Sequence, residues 1–263
     1  MLKIELIELA DLVRPEELVD AIIQQNPDIE LPVPIEDLAR LAGISKIEPL
    51  ASEGFEGTLI ANAEKSAGAI FYSSRSPRPR QRFTIGHELG HFLLPWHRQT
   101  TFNCTADDIG SRANKGWEIE ANQFAAELLI PQKLLKLRLH KLRDPELDHV
   151  LTLAAEFGTS VTMTAHRLAE QSDYACAFVF SKDNQVRYSV KSSHFEEQLC
   201  LWKGHNLPGS SPSRLQTTSH DDWHELDATW WLKERRSDEF PESVFEQTLC
   251  QEDGYKITLL TYG

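Results

Sequence analysis

The run TIGHELGHFLLPW (84–96) constrains this chain more than any other feature. His87 and His91 are four residues apart, about 40° around a helix, so both imidazoles leave one face one turn apart. That spacing lets two nitrogens reach a single Zn²⁺ at about 2.0–2.1 Å. Glu88 follows His87 in sequence and projects to the side of His91, about 100° from His87 and about 60° from His91, where a carboxylate can take a proton from a water activated at a metal without itself ligating. The remainder of the helix is apolar, with Ile85, Leu89, Phe92 and Leu93. Two imidazoles and a carboxylate on such a helix are costly to bury without a compensating partner. Hydrogen-bonded core histidines are the plainer alternative, because a bare His-Glu-x-x-His also arises by chance. The apolar helix and the Pro95 breaker favour the metal.

A catalytic zinc needs a third protein ligand and an open fourth position. His97 stands six residues after His91, the interval found in metzincins, but that geometry needs a glycine midway and Leu94 is there instead. The gluzincin arrangement takes an acidic residue from a later helix, and WEIEANQFAAELLIP (117–131) offers Glu118 and Glu120. Glu118 shares its face with Ala121, Asn122, Ala125 and Leu129, and the two alanines permit close approach to the histidine helix. Glu120 shares its face with Gln123, Phe124 and Glu127, a more solvated mixture. Glu118 is therefore preferred, Glu120 and His97 stay open, and Asn122 and His97 are candidate auxiliary groups. Cys104, in the loop expected between the motifs, is a further auxiliary candidate as a thiolate for the open position.

Composition narrows the partners. A net charge of -13 argues against nucleic acid, since phosphate binding draws on clustered Lys and Arg. The start MLKIELIELADLV lacks the pattern of a signal peptide, and no stretch approaches the roughly 20 apolar residues of a membrane span. Cys104, Cys176, Cys200 and Cys250 are scattered without a Cys-x-x-Cys pair, as expected of free thiols in a cytoplasmic protein.

Along the chain, residues 1–48 read as helical, FEGTLIA and AGAIFY as a small sheet, and SSRSPRPRQR as a loop. The arginines Arg75, Arg78, Arg80 and Arg82 in that loop are either solvated or an anion site. The extended segment near 69–72 is a candidate strand for pairing with a substrate backbone. LAAEFGTSVTMTAHRL (153–168) has a helix-turn-helix pattern with Gly158 at the turn, but its second helix offers only His166 and Arg167, so a structural hairpin is expected before DNA reading. Beyond Tyr174, ACAFVFS and QVRYSVKS form a hairpin, and Trp202, Trp223, Trp230 and Trp231 are expected in a core. The fold expected is α+β: a zincin-like helical catalytic unit with a small sheet over 1–144, a helix-turn-helix-like element over 145–174, and a C-terminal α+β region over 175–263 whose candidate role is sensing or docking.

With both motifs in hand, the chain resembles the ImmA/IrrE family of bacterial metallopeptidase-like regulators. The resemblance rests on RFTIGHELGHFLL (82–94) and EIEANQFAAELLIP (118–131), supported by VPIEDLARLAGI, and spans residues 15–175. It implies a zinc endopeptidase with ligands His87, His91 and Glu118 and with Glu88 as general acid/base. The implied substrate is a helix-turn-helix repressor or its partner, cut to switch on a stress-response or mobile-element operon. A regulator that keeps the zinc but acts by binding a repressor or DNA is the alternative. Many relatives carry a histidine directly after the apolar pair that follows the second ligand, where this chain has Pro95 and Trp96.

Overall fold

The computed structural model describes residues 1–97, 101–105, 112–142, 144–209, 211–214, 220–235 and 240–262, with backbone alone at 101–105 and 112–115. It is an α+β protein whose backbone groups into two compact units, Met1–Gln132 with Ala155–Ser160, and Lys133–Ala154 with Val161–Gly263.

In the first unit, α1 (Leu6–Leu9) precedes α2 (Pro15–Gln25), which Pro15 opens and whose Leu18, Val19, Ile22 and Ile23 are buried at helical spacing. Helix α3 (Ile35–Ala42) ends at Gly43, whose φ of +115° suits a residue without a β-carbon. Strands β1 (Ile44–Leu50), β2 (Phe55–Ala61) and β3 (Gly68–Ser73) follow, then α4 (Arg78–Leu93), β4 (Thr101–Thr105) and α5 (Arg112–Leu129). The sheet order is β1-β3-β2-β4, with β1 parallel to β3 and the other pairs antiparallel.

Three sequence expectations change here. Residues 44–48 are strand rather than helix, because Gly43 ends α3 and ISKIEPL finds a parallel partner in β3. Half of the expected arginine-rich loop is the first turn of α4, where Pro79 gives up no needed N–H. With β1 on one side and β2 on the other, β3 has no free edge, so segment 69–72 is not the strand a substrate could join. Among the described residues β4 is an outer strand, bonded to β2 alone.

The second unit takes in α6 (Gln132–Leu139) from Lys133 on, most of α7 (Leu147–Phe157), and α8 (Val161–Gln171). Its sheet is wholly antiparallel, in the order β6-β5-β9-β8-β7, from β5 (Cys176–Lys182), β6 (Gln185–Lys191), β7 (His224–Asp227), β8 (Ser243–Cys250) and β9 (Tyr255–Thr261). Asp183 and Asn184 turn the β5–β6 hairpin with φ of 51° and 62°, the left-handed pair that two-residue hairpins prefer. The core gathers Ala177, Val179, Val186, Phe195, Trp231 and Leu260. Of the four tryptophans expected in a core, Trp231 alone is fully buried. Trp202 is 65% exposed with its ring tilted against His205, Trp230 is exposed, and Trp223 is half-buried.

The helix that would read DNA faces its own protein. His166 on α8 stacks on Phe180 and packs against Tyr188, with ring centroids 5.1 and 5.4 Å away. Arg167 is buried and pairs with Glu170 at 2.9 Å. No helix among the described residues is long and apolar enough to cross a membrane.

Candidate metal centre

The centre is built where α4 and α5 touch. Gly86 and Gly90, four apart, leave the α4 surface bare: a β-carbon at Gly90 would lie 3.0 Å from Phe124, and one at Gly86 3.4 Å from the Ala125 β-carbon. Ala121 and Ala125 supply the small residues on α5, both fully buried. The close approach sets His87 and His91 of α4 against Glu118 of α5.

Two imidazole nitrogens and both oxygens of one carboxylate converge there. His87 Nε2 lies 3.1 Å from Glu118 Oε2, His91 Nε2 lies 3.3 Å from Glu118 Oε1, and the two Nε2 atoms are 3.1 Å apart. Bonds of about 2.0–2.1 Å from a tetrahedral ion place neighbouring ligands about 3.3–3.4 Å apart. The donor set and its spacing therefore fit a zinc ion, and His87, His91 and Glu118 form a group able to hold a metal. His87 is secured from behind, its Nδ1 3.0 Å from Asn122 Oδ1.

Electrostatics follow from that crowding. Burial works against the protonated form of both histidines. At His87 the neighbouring Glu118, Glu88 and Asn122 outweigh it and raise the pKa. At His91 burial wins, the pKa falls to about 4, and the ring is neutral at neutral pH. Burial alone would raise Glu118, but hydrogen bonds to His87 and His91 hold its carboxyl well below the usual range.

Glu88 is fully buried, beside His87 electrostatically and against the backbone of β2. Gly57 on β2 allows this: a β-carbon there would come within 3.0 Å of Glu88 Oε1. Lys65 donates to the carbonyls of His91 and Leu94 and so closes the C-terminal end of α4, while burial pulls its ammonium down to about 8. No pattern in the sequence points to Lys65, which sits in the turn NAEKS with φ of 50°. Gly57 left only the weak sign of a glycine inside a strand.

The two rival ligands stand behind the centre. His97 is fully buried, with Nδ1 2.9 Å from His91 Nδ1 and Nε2 2.8 Å from Glu120 Oε2. Glu120 is no more solvated than Glu118, since 34% of each side chain is exposed. Cys104 is on β4 opposite Gly57, and its side chain lies outside the described residues. The arginines expected as a cluster are each engaged: Arg75 with Glu53, Arg78 with Glu36, Arg80 with Glu56, and Arg82 with the Val33 carbonyl.

An α+β unit presenting His-Glu-x-x-His on one helix and a carboxylate on the next defines a metallopeptidase-like protein. Residues 49–169 match the model of the family Peptidase_M78, described as the IrrE N-terminal-like domain. The resemblance to ImmA/IrrE proteins is thereby borne out. A search of curated proteins finds no match to this chain. Among solved structures, one described as a Mycobacterium tuberculosis transcriptional regulator is similar, with a TM-score of 0.56 at 14% identity over 94% of this chain and 75% of that one. At that identity the likeness is one of fold.

Proposed function

We propose that this chain is a cytoplasmic zinc endopeptidase that cuts a protein partner, a helix-turn-helix transcriptional repressor, and so derepresses a stress-response or mobile-element operon. The observation that carries the reading is the convergence of His87, His91 and Glu118 at tetrahedral spacing with Glu88 buried beside them. When bound, zinc supplies Lewis acidity and acidifies a water. Glu88 takes a proton from the attacking water and delivers it to the leaving amine nitrogen. Gly57 of β2 closes in on the carboxylate from the sheet side, which limits its motion during that transfer. The edge of β4, one strand from Gly57, gives a peptide backbone a ladder to join. The repressor as substrate is supported by the IrrE-like domain and by the description of the structural neighbour as a transcriptional regulator. Cys176 and Cys200 are free thiols, in keeping with a reducing compartment.

The test is incubation of the zinc-loaded protein with helix-turn-helix repressors encoded beside it. A discrete cut that Glu88→Gln abolishes supports the reading, and no Glu88-dependent cut defeats it. The complete burial of Glu88 favours a second reading, in which the site is structural and the protein works by sequestering a repressor. Derepression that survives Glu88→Gln would establish that one instead.

A further inference from the structure

We infer that His97 and Glu120 act together as a positioning pair that fixes the ring of His91 for metal binding; the inference rests on the metal-centre reading above. Of the two ways to place protons along this line, one leaves His91 able to hold a metal through Nε2. His97 Nε2 donates to Glu120 Oε2 across 2.8 Å. A neutral His97 then offers a lone pair at Nδ1, and the 2.9 Å contact is closed by an N–H on His91 Nδ1. His91 Nε2 is left bare, directed at His87 Nε2 and Glu118. The opposite arrangement, with both protons on His97, would force a proton onto His91 Nε2 and block the ligand position.

The pair is held in place from several directions. Trp117 stacks on the His97 ring at 5.2 Å with planes 23° apart, and Trp96 meets it edge-on at 5.9 Å. The Trp96 indole N–H donates to the same Glu120 oxygen that accepts from His97. Glu120, His97 and His91 thus form a carboxylate–imidazole–imidazole line, one imidazole longer than the usual support behind a metal-bound histidine. His87 is served differently, by the neutral amide of Asn122.

The test measures zinc affinity by chelator competition for the full chain and for Glu120→Gln, His97→Ala and His97→Asn. The melting temperature of each is taken without zinc, and the His91 ring nitrogens are read by NMR in the zinc-loaded proteins. Glu120→Gln and His97→Ala are expected to weaken zinc binding about 10–100-fold. His97→Asn, which keeps an acceptor for His91 Nδ1–H, should recover part of the loss. The wild-type His91 should show Nδ1–H with Nε2 on the metal, and His97→Ala should lose that fixed tautomer. Should His97→Ala fail to fold, Glu120→Gln and His97→Asn carry the comparison. Zinc binding by Glu120→Gln and His97→Asn as tight as wild type overturns this inference alone. A wild type that takes up no zinc overturns the metal centre and this inference with it.

Discussion

Gly57 lies so close to Glu88 that a β-carbon at position 57 would stand 3.0 Å from Glu88 Oε1 and 2.3 Å from Thr84 Cγ2. The strand and the histidine helix are packed tightly together at the residue proposed to move the proton. Gly57→Ala must therefore push α4 from β2 or twist Glu88. Overpacking of this kind costs about 1–3 kcal/mol. Denaturant unfolding should show that loss, and cleavage should fall with it. A variant as stable as wild type would mean that α4 is not seated on β2 as described.

Asn122 accepts from His87 Nδ1 across 3.0 Å and holds the ring with Nε2 toward Glu118. Asn122→Leu removes the acceptor and leaves a buried N–H unmatched, at about 1–3 kcal/mol. Zinc affinity is expected to drop about 10–100-fold, with Asn122→Asp retaining most of it. Chelator competition reads both, and equal affinities for Leu and Asn would show that His87 is oriented by something else.

Much of the site was legible because a helix converts spacing into direction. His87, Glu88 and His91 followed from the 100° step, and the alanine face of α5 separated Glu118 from Glu120. The pairing of His97 with Glu120 was not legible. It depends on where Pro95 and Trp96 turn the chain after α4, and no periodicity encodes that. Among the strands, β2 and β3 showed as apolar runs. Strand β1 did not, because ISKIEPL is mostly exposed and takes its conformation from pairing with β3. The tryptophans misled for a related reason: aromatic content predicts burial only where a sheet or helix face receives the ring, as it does for Trp231.

Glu246 in the C-terminal unit gives a pH signature. Burial raises its pKa, against the opposing hydrogen bonds from Ser211, Trp231 and the Ser213 N–H. With the folded value above the unfolded one, the folded unit holds the proton to higher pH. Stability from this group is present at low pH and declines as pH rises from about 4.5 through the folded value. Glu246→Gln removes that slope. Unfolding measured against pH should show wild type losing ground to Glu246→Gln on going from acid toward neutral, and parallel curves would contradict the raised pKa.

The packing of α8 predicts that the protein does not read DNA with this helix. His166 is committed to Phe180 and Tyr188, and the net charge is -13. His166→Ala should cost stability, about 0.5–1.5 kcal/mol for each of the two ring pairs it removes, in thermal unfolding. No salt-dependent mobility shift should appear for wild type on duplex DNA. A shift that His166→Ala or Arg167→Ala abolishes without destabilising the fold would reverse this.

The most direct measurement is zinc per chain, by elemental analysis, for wild type, Glu118→Ala and Glu88→Gln purified without chelator. About one zinc in wild type and in Glu88→Gln, with little in Glu118→Ala, is the predicted result for a three-ligand centre whose fourth position is open. A wild type that stays empty when offered zinc, or a Glu118→Ala protein that keeps a full complement, would contradict it.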